Sequence, residues 1–239
     1  MAQIGRVRRW SSFALFGIAI LASNVAGEDQ RTQTIIVRVE PADRKVVPSE
    51  VEIRTEGKRL NALTVSNPST SPLNVAFVID VGPDQSRVLE KEKDLALAIL
   101  NALPAPVSKL VVVRAGYQHT VYPATADRAE AARLIESLVT EEGKKSGIPI
   151  FEAMAVSIGE LSRLPGMRVV IVIAEGNDYG STMGYKGLRD LLQARSVTCL
   201  VALVDDHPTR GTKSILRYGW SLQDLASDTA GTFVENTKK

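Results

Sequence analysis

The sequence predicts an α/β fold: a doubly wound, mainly parallel central sheet with helices on both faces, preceded by a small β-rich element. Three observations predict it. Residues 74–79, 110–113, 169–174 and 197–204 are nearly unbroken apolar runs, as strands covered on both faces require. The segments between them carry apolar residues at helical spacing. Finally, strand and helix patterns alternate along the chain, which implies parallel strands joined by crossover helices.

The elements follow in order. Residues 34–39, 51–54 and 60–65 are short β-like runs, separated by turn residues at 41–43 and at Glu56-Gly57. Residues 67–72, with two prolines among small polar residues, form a linker. Residues 73–79 make the first main strand, and Val88, Leu95, Ile99 and Leu103 mark one face of a helix. After the strand at 110–113, residues 120–122 continue as a short edge strand. A second helix starts near Asp127, with Ala131, Leu134, Ile135 and Leu138 inward. A third begins at Pro149, a residue suited to a first helical turn, and turns Ile150, Met154, Ile158 and Leu161 inward. The strand at 169–174 follows, then a helix with Leu188, Leu191 and Leu192, the strand around Cys199, and a last helix with Leu222, Leu225 and Ala226. Gly231 closes that helix, and residues 232–234 make a final strand.

The first 27 residues have the form of a secretory signal peptide. Arg6, Arg8 and Arg9 precede an apolar run at 13–22, and the small residues Val25-Ala26-Gly27 follow, with cleavage expected after Gly27. The run is about half the length needed to cross a bilayer. This divides the chain into a leader (1–27), a β-rich element (28–66), a linker (67–72) and an α/β domain (73–239). The leader holds three arginines and no acid, so its removal takes the formal charge from +2 to −1. A near-neutral exported domain, periplasmic or secreted, has no electrostatic case for nucleic acid or for anionic membrane surfaces. No membrane insertion is expected after cleavage. Cys199 is the only cysteine, so no intramolecular disulfide forms, and its apolar strand context makes it a core residue.

Asp80 is placed where a site belongs. In open parallel sheets ligands sit outside the carboxyl ends of the strands, so a carboxylate ending a buried strand faces a crevice. The alternative reading is that Asp80 only caps the following helix. As an enzyme, the chain would be an α/β hydrolase or phosphoryl-transfer domain with Asp80 as nucleophile. Residues 81–86 lack a glycine-rich phosphate cradle, no Gly-x-Ser-x-Gly elbow exists, and neither His119 nor His207 lies in a triad-like segment. No catalytic residue is therefore assigned.

Three segments together carry a family resemblance: Val-Ala-Phe-Val-Ile-Asp at 75–80, Gly-Ile-Pro-Ile-Phe-Glu-Ala at 147–153, and Val-Val-Ile-Val-Ile-Ala-Glu-Gly-Asn-Asp at 169–178. In that order and spacing they resemble a von Willebrand factor type A domain, most closely the bacterial exported set called VWFA-related. The resemblance implies a Rossmann-like domain that binds partners, often through a divalent metal. The family's metal motif is Asp-x-Ser-x-Ser, with a Thr before the third helix and an Asp after the next strand. Here Asp80 is kept, Gly82 and Asp84 stand at the serine positions, Ile148 at the threonine, and Glu175 at the second aspartate.

Gly82 and Ile148 offer no side-chain oxygen, so no cofactor is expected. Were Ca²⁺ or Mg²⁺ held at all, the remaining oxygens are those of Asp80, Asp84 and Glu175, with Asp178 close by. Because clustered carboxylates repel, Asp80→Ala is expected to be nearly neutral or slightly stabilising. The function expected is that of an exported, non-enzymatic interaction module. Its protein partner would be met by a loop face comprising Asp80, Gly82, Asp84, Ser146, Ile148, Glu175, Asn177, Asp178 and Tyr179.

Overall fold

The computed structural model describes residues 71–83, 86, 88–104, 106–143, 148–175, 178, 180–204 and 221–234 with their side chains. It also describes the backbone of elements at 18–22, 33–37, 53–55, 58–60, 62–66, 213–220 and 235–236.

The first strands are β1 (Ile18–Ala22), β2 (Gln33–Val37), β3 (Ile53–Thr55), β4 (Lys58–Leu60) and β5 (Ala62–Ser66). β1 pairs antiparallel with both β2 and β5, and β3 pairs antiparallel with β4. The single run expected at 60–65 is divided because Leu60 pairs with Ile53 whereas residues 62–66 pair with β1. A segment expected in the leader thus supplies β1. The cleavage point at Gly27 lies outside the described residues.

The main unit runs β6 (Leu73–Asp80), α1 (Leu89–Ala102), β7 (Val107–Ala115), β8 (Thr120–Val121), α2 (Arg128–Glu136) and α3 (Ile150–Ser162). It continues through β9 (Met167–Ala174), α4 (Tyr185–Ala194), β10 (Val197–Val204), α5 (Lys213–Asp228) and β11 (Phe233–Asn236). Its six-stranded sheet has the order β11-β10-β9-β6-β7-β8, parallel except for the short edge strand β8. α1 and α2 cover one face through Leu89, Leu100, Ala131 and Ile135 against Phe77 and Ile171. α3, α4 and α5 cover the other through Ile150, Met154, Leu188 and Leu225 against Val78 and Val172. Every residue of β6 is buried, as a central strand of this class demands.

Capping follows the chemistry of the residues. Asp127 ends extended and its carboxylate accepts from the Ala129 amide at 2.8 Å, starting α2 where the sequence predicts. Gly231 closes α5 with its amide on Ala226 O at 2.7 Å. Of the four residues expected inward along α1, Val88 and Leu103 are buried, and the departure lies between them. The inward residues of α1 are Leu89, Glu92, Lys93, Ala96 and Leu100, while Leu95 and Ile99 are only partly buried against the core. Apolar spacing misses this face because two of its five inward positions are charged.

Candidate functional site

The strand order places a topological switch between β6 and β9. Connections leave β6 toward β7 on one side, and the chain returns to β9 on the other, which opens a crevice at the carboxyl ends. Asp80 is the last residue of β6, and Glu175 directly follows β9, so both lie at the switch.

Asp80 is 1% exposed, and its Oδ1 accepts from the Gly82 amide at 2.9 Å. It closes the turn that follows its strand, an Asx-type local bond. Chain and crevice floor are tied together just beyond it: the Val81 amide donates to Ala115 O at 2.9 Å, and the Glu141 amide to Val81 O at 2.8 Å. Gly82 is buried against Ile148. A Cβ on Gly82 would lie 2.6 Å from Ile148 Cγ1 and 3.1 Å from its Cδ1, and 3.3 Å from Asp80 Oδ1. Ile148 belongs to the apolar cluster under α3. The space beside the Asp80 carboxylate is therefore filled by hydrocarbon.

Asp178 acts on α3. Pro149 at the N-cap makes no side-chain bond, so the first amides of α3 need an acceptor from elsewhere. Asp178 Oδ1 lies 3.4 Å from the Phe151 amide and accepts the Ser181 hydroxyl at 2.6 Å, while Ser181 Oγ lies 3.2 Å from that same amide. Burial raises the Asp178 pKa, with the bonds from Ser181 and Phe151 opposing it. Glu152 on α3 reciprocates: one of its oxygens accepts from the Thr182 amide, from Thr182 Oγ1 at 2.8 Å and from the Met183 amide at 3.1 Å. Burial pushes the Glu152 pKa up, but the bonds from Ser181, Met183 and Thr182 outweigh it and bring the value to about 2. The loop after β9 and the start of α3 are thus bolted together from both sides.

A second carboxylate knot sits beside β7. Glu141 accepts from Arg114 Nη1 at 2.7 Å and from the Tyr117 amide at 2.7 Å, and its carboxylate lies so close over Gly116 that any side chain there would collide with it. His119 lies within the influence of Glu152 and Glu141; burial lowers its pKa, against the pull of those two carboxylates.

Glu92 comes from α1. It is 0% exposed, and neither carboxyl oxygen has a hydrogen-bond partner among the described residues. Its pKa is raised well above the ordinary value by burial, then by the charges of Asp80 and Glu175. Cys199 is buried and its thiol is pushed up to about 12 by burial alone, so it is inert packing.

Of the residues expected on the loop face, Asp80, Gly82, Ile148, Glu175 and Asp178 gather at the carboxyl edge, where Asp80, Gly82, Ile148 and Asp178 are buried and Glu175 is partly exposed. Asp84, Ser146, Asn177 and Tyr179 lie outside the described residues, as does His207. Sequence reading gives no role to Glu92, Glu141 or Glu152, and it considers His119 only to set it aside. Only Glu92 left a usable trace, since it sits three residues after Leu89 and four before Ala96, at helical spacing from two positions that prove inward. Among the described residues no group of three or more His, Cys, Asp or Glu is disposed to hold a metal ion. No described helix is long and apolar enough to cross a membrane.

No protein-family model matches the chain, and neither does any curated protein. Solved structures do match its fold. The conserved hypothetical protein BatB from Bacteroides thetaiotaomicron is similar at 20% identity and a TM-score of 0.54, over 70% of this chain and 91% of that one. An aerotolerance-related membrane protein from Bacteroides fragilis NCTC 9343, carrying multiple mutations to serine, is similar at 15% identity and a TM-score of 0.53, over 70% and 92%. Both likenesses concern the fold.

Proposed function

We propose that this chain is an exported von Willebrand A-type interaction module whose loop face binds a protein partner without a metal ion. The observation that carries this reading is the Gly82–Ile148 contact. In the family the chain resembles, the two corresponding positions supply hydroxyl oxygens to a metal beside the first aspartate; here an apolar side chain fills that space. Mg²⁺ wants near-octahedral oxygen ligation, which a hydrocarbon wall cannot complete. The residues present do not fit the family's metal.

What remains at the switch is a rigid, acid-rich edge. Asp80 is fixed by Gly82, Glu141 by Arg114 and Tyr117, and bonds of Asp178 to Phe151 and of Glu152 to Thr182 and Met183 hold Asp178, Thr182 and Met183 against α3. Loops fixed on a rigid sheet suit recognition. The enzymatic alternative asks Asp80 to attack a substrate, yet that carboxylate is buried and engaged with its own backbone. Export rests on the leader, and the non-enzymatic role on the resemblance and on this geometry.

The test is affinity capture of exported proteins with the wild-type domain and with Glu175→Arg, each with and without a chelator. The reading expects a partner retained by the wild type, lost with Glu175→Arg and indifferent to the chelator. Retention that needs Mg²⁺, or hydrolase activity abolished by Asp80→Asn, contradicts it.

A further inference from the structure

Among the described residues, Glu92 is the one carboxyl group with both oxygens buried and without a hydrogen-bond partner. Fully buried polar groups are almost always hydrogen-bonded, and an exception has to be explained. Glu92 has both carboxyl oxygens buried and unpartnered, on the face of α1 that packs against the sheet. Ionising it there costs several kcal/mol of lost solvation. Its place in the first turns of α1 favours the anion by about 0.3–1 kcal/mol, too little to compensate.

The charged groups around it deepen the penalty. From β6 comes Asp80 and from the end of β9 comes Glu175, both acidic. On α1 itself, Lys93 turns its ammonium to Glu90 at 2.9 Å. From α2, Arg128 reaches Leu100 O and Leu103 O at the far end of α1, and Glu130 bonds Thr125. None of these described cations is engaged with Glu92, and no described group is arranged to hold a metal in their place. A proton is the cation small enough to neutralise a carboxyl sealed in this way.

We propose that Glu92 is a proton-binding switch beneath the carboxyl edge: held as the neutral acid, it lets the first turn of α1 lie against the sheet, and loss of the proton lifts that turn. The first turn is the element poised to move. Its N-cap, Val88, gives no side-chain hydrogen bond, so the turn is held chiefly by packing. A charged Glu92 must reach water, and unpacking this turn is the short route. The link from the proton to partner binding rests on the function proposed above; the proton itself is a property of the isolated protein.

The experiment compares wild type with Glu92→Gln and Glu92→Met in denaturant unfolding from pH 4 to 9, with hydrogen exchange of the α1 amides. The unfolded chain ionises Glu92 near the ordinary Glu value of about 4.3 while the folded chain keeps the proton. Above that pH the wild type should lose about tenfold in its folding equilibrium per pH unit relative to either variant, until the folded carboxyl ionises. Beyond that point, exchange in the first turn of α1 should accelerate in the wild type alone. A wild-type curve parallel to both variants overturns the buried proton, and unchanged exchange across the transition overturns the switch. Should neither variant fold, the infrared band of a protonated carboxylic acid, followed in the wild type as the pH is raised past the ordinary Glu value, decides: a band that persists above that value supports the proton site, and one already lost there ends it.

Discussion

Gly82 and Ile148 interlock: the Ile148 side chain occupies the space a Cβ on Gly82 would need, 2.6 Å from its Cγ1. The contact joins the end of β6 to the start of α3 across the carboxyl edge. It also makes two positions, 66 residues apart in sequence, dependent on one another. Gly82→Ala should therefore destabilise by about 1–3 kcal/mol through overpacking. Ile148→Ala should cost about 2–5 kcal/mol through the cavity it leaves. Combined, they should cost less than the sum, with a coupling of about 0.5–3 kcal/mol in a double-mutant cycle of denaturant melts. Strict additivity would show that the contact is not made.

Asp80 separates charge from hydrogen bonding. Carboxylate repulsion alone leads to the expectation that Asp80→Ala is nearly neutral or slightly stabilising. The bond from the buried Gly82 amide to Oδ1 reverses it, because Ala leaves that donor unpaired at a cost of about 1–3 kcal/mol. Asp80→Asn keeps an acceptor and removes the charge facing Glu92 and Glu175. Thermal melts at neutral pH should place Asp80→Asn at or above wild type and Asp80→Ala clearly below it. Equal stability of the two variants would refute the turn-closing role.

Much of the fold was legible because apolar continuity reports directly on a sheet covered on both faces. The runs that became β6, β7, β9 and β10 left no other placement, and Asp127, Pro149 and Gly231 marked helix ends by their own backbone chemistry. The phase of α1 was not legible. Hydrophobic spacing treats Glu92 and Lys93 as outward, whereas packing turned both inward. The site was legible only at strand ends. Asp80 and Glu175 stand out by following apolar runs, but Glu141 and Glu152 act through backbone amides 24 and 30 residues away, which no local pattern records.

Glu152 makes the contact of α3 with Thr182 and Met183 acid-sensitive. Folding lowers its pKa to about 2, so its contribution is complete above the ordinary Glu value of about 4.3 and is lost as the pH falls from there toward 2. Glu152→Gln should melt below wild type at pH 7, and the difference should shrink as the pH approaches 2. Hydrogen exchange at Thr182 and Met183, whose amides Glu152 accepts, should rise in the variant. A difference that stays constant across this range would show that Glu152 is not the group responsible.

Export makes a covalent prediction. Mass spectrometry of the protein recovered outside the cytoplasm should give a mature N-terminus close to Glu28. Recovery of the chain from the membrane fraction with its first 27 residues attached would favour an anchored form.

Metal independence is tested most directly by melting the wild type and Asp80→Asn with and without millimolar Mg²⁺ or Ca²⁺. An ion present at a hundred times its Kd would add about 2.7 kcal/mol, well within reach of a thermal melt. With Ile148 filling the space beside Asp80, neither ion should move the Tm of either protein. A rise in wild-type Tm with Mg²⁺ that disappears in Asp80→Asn would contradict the metal-free interaction face and restore an ion to the carboxyl edge.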